Sequence, residues 1–337
     1  MNRPRTLQEL NDRLTLARQH GDPLADVAFG YIRQNPALFA QFQQLDSNAA
    51  LTAMELPDSL QDLLQDVEQK LKQFDRERLH AGHLVFEKYA EPIMINLAMY
   101  SLPYCYAAEQ GAQVLVKSKY LLENPQKRLE ETGEFLFATG SREAFTDEGF
   151  GIIQCLKVRL LHAGARFHAK TPEESSVNQE DLLGTNLAFS LIVIRGFQKM
   201  GIRLIEQEEK DFLYLWNCIG ELLGIEADLL PTDLREASVL ERSIRKRQFR
   251  FSEAGARLTN SLIHMYEQNW PMKGTKPADL IATFVGAEIA ECIGLKPVSL
   301  KGEAALGTMR YRNTFTKFSA ATFGKLKERV AQGQFSF

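Results

Sequence analysis

Residues 158–166 read Val158-Arg159-Leu160-Leu161-His162-Ala163-Gly164-Ala165-Arg166. Read as a helix, this run surrounds His162 with Cys155, Val158, Arg159, Ala165 and Arg166, three, four or seven residues away. Small side chains follow the histidine directly, so another body can approach the helix closely there. The bland reading is a buried histidine whose ring nitrogens bond to backbone carbonyls.

The same period extends outward in both directions. Ala, Leu, Glu, Gln, Lys and Arg fill most segments, and apolar residues recur every three or four positions. No alternating strand, Asn-Gly hairpin turn or internal repeat interrupts them. The expected fold class is all-α. Leu60, Leu63, Leu64, Val67, Leu71 and Phe74 give residues 59–77 a one-sided apolar face. Breaks at 21–23, 35–36 and 56–58 divide the residues before it into short helices. Residues 84–122 predict one or two buried helices bent at Pro103. Pro125 suits the first turn of the next helix. Thr146-Asp147 is expected to open the helix carrying His162, and Asn178 to cap one running from Leu182 to about Lys199. Later helices are expected over 206–224, 234–269 and 277–293. The organisation implied is an N-terminal helical extension, 1–77, against a main domain, 78–337, with a basic peripheral tail.

Composition excludes several classes. The 337 residues are 45% hydrophobic and 25% charged with a net charge of −3, which favours neither nucleic acid nor an anionic membrane as a partner. Cys105, Cys155, Cys218 and Cys292 form no Cys-x-x-Cys pair. The uncharged stretch Pro92–Ala108 is shorter than the roughly 20 residues of a transmembrane span. The N-terminus shows no secretory leader, and a cytoplasmic location is expected. There is no P-loop, Gly-x-Gly-x-x-Gly or Gly-x-Ser-x-Gly motif. His80 and His83, with His162 and His168, lack the spacing of a non-haem metal site. The run Arg242–Arg250 reads as a solvated helix face. Tyr100, Tyr104, Tyr106, Phe135 and Phe137 suit either an apolar channel or an ordinary core.

Thirty residues before His162 stands a second step, Arg128-Leu129-Glu130-Glu131-Thr132, whose Arg128 and Thr132 share a helix face. Alone, Arg128 reads as a surface partner of Glu131 or Glu134. Together, the Arg-x-x-x-Thr step, the Val-Arg-x-Leu-His-Ala segment at 158–163 and the 178–182 segment resemble the oxygenases of latex clearing protein (rubber oxygenase) and mycophenolic acid biosynthesis. The likeness covers roughly 80–295. It implies a globin-like helical bundle around a non-covalent haem b held by His162. The flat macrocycle would lie against the small residues after His162, and Arg159 and Arg166 would pair with its propionates. Arg128 and Thr132 would shape the pocket, Thr132 by a hydroxyl hydrogen bond. The activity implied is O2-dependent attack on an apolar isoprenoid or lipid-like substrate, possibly at a C=C bond; the alternatives are a haem-binding sensor without turnover and a cofactor-free interaction protein. Rubber-cleaving members carry a lysine just before the threonine, where this chain has Glu131. Glu131 and Glu109 are candidate proton acceptors, and burial in an apolar helix would raise the pKa of Glu109.

Overall fold

Side-chain caps set many of the helix starts. The Thr6 hydroxyl accepts from the Glu9 amide while the Glu9 carboxylate accepts from that of Thr6. Asp22, Ser47, Asp75, Asn178, Asp233 and Ser252 cap in the same sense, each accepting from an amide two or three residues on. The computed structural model describes residues 6–117, 122–169, 177–268, 270, 274–297 and 300–309.

The elements in order are α1 (Leu7–Ala17), α2 (Pro23–Ile32), α3 (Pro36–Gln43), α4 (Asn48–Ala53), α5 (Asp58–Gln73), α6 (Arg76–Lys88) and α7 (Ala90–Asn96), then a π-helical turn, Leu97–Ser101. There follow α8 (Leu102–Tyr106), α9 (Glu109–Lys117), α10 (Pro125–Gly140), α11 (Gly151–Phe167), α12 (Gln179–Phe189), α13 (Leu191–Lys199) and α14 (Glu206–Leu222). The last are α15 (Leu234–Gln248), α16 (Glu253–Glu267), α17 (Pro277–Val285), α18 (Ala287–Cys292) and α19 (Leu300–Met309). The described residues contain no strand, only an isolated bridge between Ala108 and Phe249, so the protein is all-α. Among them no helix is long and apolar enough to cross a membrane.

Several expected helices prove to be shorter pieces, each for a local reason. The described part of the 84–122 stretch divides at Tyr89, where φ −115° and ψ 20° leave the helical region, and at Ala107–Ala108, whereas Pro103, which has no N–H, lies within the first turn of α8. In the π turn the Leu102 amide bonds to Leu97 O, so the next amide, at 103, would have served Ala98 O. That orphaned carbonyl accepts instead from the Tyr266 hydroxyl at 3.3 Å. The 182–199 helix breaks at Ser190, whose hydroxyl bonds back to Asn186 O at 2.9 Å. Gly286, at φ +85°, ends α17. Helix α11 starts at Gly151 rather than at Thr146. The Asp147 and Gly149 carbonyls are taken by the amides of Ala49 and Asn48, which holds 146–150 as a turn against α4. The tail after Thr308 lies, past Met309, outside the described residues.

The described residues of the N-terminal region, 6–77, use their apolar faces on the body. Ala25, Ala28, Ile32, Leu60, Leu63, Leu64 and Val67 join the main core around Trp216 and Phe212. Leu10, Leu14 and Ala17 join a second cluster with Leu183, Leu187 and Leu240. Helix α6 packs closely on α14, because a Cβ on Gly82 would stand 2.6 Å from Asp211 O and 2.7 Å from Leu215 Cβ. Gly82→Ala is therefore expected to force the two helices apart and cost about 1–3 kcal/mol, read as a lower urea midpoint with unchanged slope.

Candidate functional site

Helices α8 to α12 and α14 to α16 enclose a cavity of about 880 Å³, of a size that suits a cofactor or small-molecule site. His162, Arg128, Glu131, Thr132, Lys157 and Ala165 all border it. The sequence therefore brings its two separated motifs to one place, through the packing of α10 against α11.

His162 is half-buried, and its exposed part faces this cavity. Its Nδ1 is buried with no hydrogen-bond partner, and Nε2 is likewise unpartnered but not sealed from the open volume. The backbone-bonded histidine of the bland reading is thus absent at this position. Burial, with the positive charges of Arg166 and Arg128, pushes its pKa down to about 4. At neutral pH the ring is uncharged and has a lone pair to offer.

Arg128 borders the cavity, half-buried, with no side-chain hydrogen bond among the described residues. The Thr132 hydroxyl donates to Arg128 O at 2.9 Å, within its own helix, so its proton is engaged and its oxygen is left to accept. Glu131 reaches the cavity edge. Tyr104, Tyr106 and Phe135 line it, whereas Tyr100 packs on Phe284 and Phe137 on Phe86.

Three expected site residues lie elsewhere. Arg159 is fully buried and donates to Asp22 at 2.7 and 2.9 Å and to Asp66 at 2.7 Å. Arg166 pairs with Asp26 at 2.7 Å and donates to Val177 O at 3.0 Å. Both brace α11 against the N-terminal helices. Neither borders the cavity, so neither is placed to meet an anion there. The cause is azimuthal: Arg159 and Arg166 lie roughly 60° and 40° to one side of His162, whereas the cavity-lining Val158 and Ala165 lie roughly 40° and 60° to the other. Ala163 and Gly164 likewise serve packing, since a Cβ on Gly164 would meet the Phe29 ring at 2.9 Å. Glu109 stands in the first turn of α9, about one-third exposed and 3.8 Å from Arg250, in a separate shallow recess. The break at Ala107–Ala108 turns it outward, and it is not in an apolar environment.

Some cavity residues carry little signal in the sequence. Lys157 is buried at the cavity wall, donates to Gln43 O at 3.0 Å, and has its pKa pushed down to about 8 by burial. A lysine within the apolar stretch 152–161 was the available clue. Asn186 and Trp216 also border the cavity. Tyr104 donates to Glu241 at 2.5 Å, and Glu241 also holds Arg195 at 2.8 Å and Arg245 at 3.2 Å. The basic run 242–250 is largely spent on such pairs: Arg245 with Glu241 and Glu288, Arg247 with the fully buried Glu180, and Arg250 with Glu109.

Of the other histidines only His168 borders the same cavity among the described residues. Among the described residues no three His, Cys, Asp or Glu side chains cluster as metal donors. His83 is buried, with Nδ1 2.8 Å from Gly140 O, and burial lowers its pKa below 6.5. On acidification the unfolded chain then takes up this proton first, so His83 diminishes stability as pH falls below about 6.5. Urea unfolding at pH 7 and pH 5 is expected to show a smaller difference in His83→Gln than in the parent.

The fold and site together define an all-α protein with an inner, largely apolar cavity, bordered by His162 with its unpartnered Nδ1, the half-buried Arg128 and the buried Lys157. Residues 94–310 match the family described as ER-bound oxygenase mpaB/B′/rubber oxygenase, catalytic domain, and the chain belongs to that family. The rubber oxygenase of Streptomyces sp. (strain K30) is 20% identical over 181 residues, 50% of this chain and 44% of that protein, so the matched segment spans under half of the relative's length. The structure of latex clearing protein LCP in the closed state superposes with a TM-score of 0.77, covering 94% of this chain and 90% of that one at 16% identity; the likeness is one of fold.

Proposed function

We propose that this chain is a haem b-dependent oxygenase acting with O2 on an apolar, isoprenoid or lipid-like substrate by oxidative cleavage of a C=C bond. The observation that carries the reading is His162: a neutral imidazole, with both nitrogens unpartnered, facing an apolar-walled cavity in a chain of this family. A buried polar atom without a partner costs about 1–3 kcal/mol, which a native chain retains where it has a use.

The residues present fit the cofactor. His162 would hold the iron through Nε2, in a globin-like pocket. Of the cations bordering the cavity, Lys117, Arg128 and Lys157, the half-buried Arg128 and the buried Lys157 would meet the propionates, in place of Arg159 and Arg166. When bound, haem would supply the O2-binding and redox chemistry. The chain's own residues do the rest. The apolar wall excludes water, and Arg128 supplies fixed positive charge beside the pocket. The Thr132 oxygen is positioned to accept a hydrogen bond. Glu131 is the carboxylate at the cavity edge able to take a proton, and its presence removes the lysine cap of rubber-cleaving members. One alkene and one O2 give two carbonyl fragments, a balance that needs no external reductant.

The test is an absorption spectrum of protein purified with haem supplied, oxidised and reduced, followed by oxygen uptake with apolar alkenes. A Soret band and alkene-dependent uptake are expected. A folded protein without a Soret band would overturn the reading.

A further inference from the structure

Asn186 on α12 is 4% exposed and borders the cavity, yet neither its Oδ1 nor its Nδ2 has a hydrogen-bond partner. Trp216 on α14 is 1% exposed, also borders the cavity, and its Nε1–H is unpartnered too. The two belong together. A Cβ on Gly220 would stand 3.2 Å from both Cγ and Oδ1 of Asn186, so the amide lies against α14 at Gly220. Gly220 is one helical turn beyond Trp216 on the same face. The Trp216 ring is fixed by stacking on Phe189, centroids 5.4 Å apart. Packing thus holds the ring while its one polar atom goes unused, as does the whole amide.

Buried amides and indole N–H groups normally find partners, and leaving one unmade costs about 1–3 kcal/mol. Other buried amides use at least one of their atoms: Asn48 and Gln179 bond through both, and Asn96, Asn178 and Asn217 each leave one atom unpartnered but satisfy the other, whereas Asn186 leaves both. Unused donors gathered at one cavity wall indicate a ligand atom that completes them.

We propose that Asn186 and Trp216 form a polar subsite of the cavity that binds an uncharged oxygen, a carbonyl or hydroxyl, carried by an otherwise apolar substrate. The inference deepens the preceding reading by naming a substrate class: an oxygen-bearing apolar molecule in preference to a plain hydrocarbon. Among the described residues no charged side chain hydrogen-bonds to Asn186 or Trp216, so the subsite favours a ketone, ester or alcohol over a carboxylate. The oxygen accepts from Trp216 Nε1–H and from the Asn186 amide, while the hydrocarbon part occupies the apolar remainder of the cavity.

The test compares the dissociation constants of 4-phenyl-2-butanone and n-butylbenzene, which differ mainly in the carbonyl, by calorimetry on the protein as isolated, with its haem band recorded. The parent is expected to favour the ketone. Each hydrogen bond lost changes affinity by about 2- to 12-fold, so Asn186→Leu and Trp216→Phe should each move the ratio toward the hydrocarbon by that factor. Neither variant loses a hydrogen bond that the free protein makes, but Trp216→Phe empties part of a fully buried site and is expected to lower the melting temperature of the ligand-free protein by its lost packing, so the affinity ratio in folded protein is the readout. Should Asn186→Leu fail to fold, Trp216→Phe, which keeps the ring stacking on Phe189, carries the test. An unchanged ratio in a folded variant overturns the subsite and leaves a water-filled corner. A haem band with an unchanged ratio keeps the oxygenase reading and removes the subsite; a shifted ratio in a protein without the band does the reverse.

Discussion

Arg159→Met is expected to lose about 3–5 kcal/mol of stability, because it strands Asp22 in the core. Asp22 is 4% exposed and receives two of the Arg159 hydrogen bonds, while Asp66 receives the third. The methionine fills most of the volume but leaves a buried carboxylate without its counter-charge. That loss exceeds what a solvent-screened, exposed ion pair contributes, so Lys210→Ala, which removes the partner of Glu206, serves as the control. Urea unfolding of both variants measures it. The haem content of whatever Arg159→Met folds is expected to match the parent, since Arg159 does not border the cavity. A parent-like midpoint together with lost haem would show instead that Arg159 serves the cofactor.

His162→Ala should behave in the opposite way. Loss of groups that merely orient a metal ligand costs 10- to 100-fold in affinity, so removal of the ligand itself is expected to cost at least about 100-fold. The Soret band should disappear at haem concentrations that saturate the parent, and alkene-dependent oxygen uptake with it. Stability without haem should change by no more than about 1 kcal/mol. The ring projects into open volume and makes no hydrogen bond, and deleting the unpartnered Nδ1 offsets the lost packing. The two variants thus separate holding the fold from holding the ligand, although Arg159 and His162 are one helical turn apart.

The sequence was informative about position along a helix and less so about direction around it. His162, Arg128 and Thr132 were found from two motifs with a fixed separation, and they do meet at one cavity. Arg159 and Arg166 were placed beside them because three- and four-residue offsets keep residues at similar height. That spacing does not tell one side of the histidine from the other, and Asp22 and Asp26, which claim these arginines, lie far back in the chain. Glu109 lies outside the cavity because a helix break two residues earlier, at Ala107, rotates it outward. Asn186 and Trp216 were invisible: an asparagine in an apolar helix reads as ordinary until the absence of partners is measured in three dimensions. The all-α class was legible from periodicity, and the helix breaks at Ser190 and Gly286 were not, because each is a single-residue event inside an apolar run.

The π turn at Leu97–Ser101 has a consequence for how this family's cavities can diverge. A π turn contains one residue more than the α-helical turn it replaces, and the chain here tolerates it because Tyr266 serves the carbonyl that Pro103 cannot. Loss of one residue in this stretch would restore an ordinary helix without breaking the rod. It would also swing everything beyond it by roughly 100°, carrying the Tyr104 and Tyr106 rings off the cavity wall. A single codon gained or lost can thus re-aim one side of the chamber while His162, on a different helix, keeps its place.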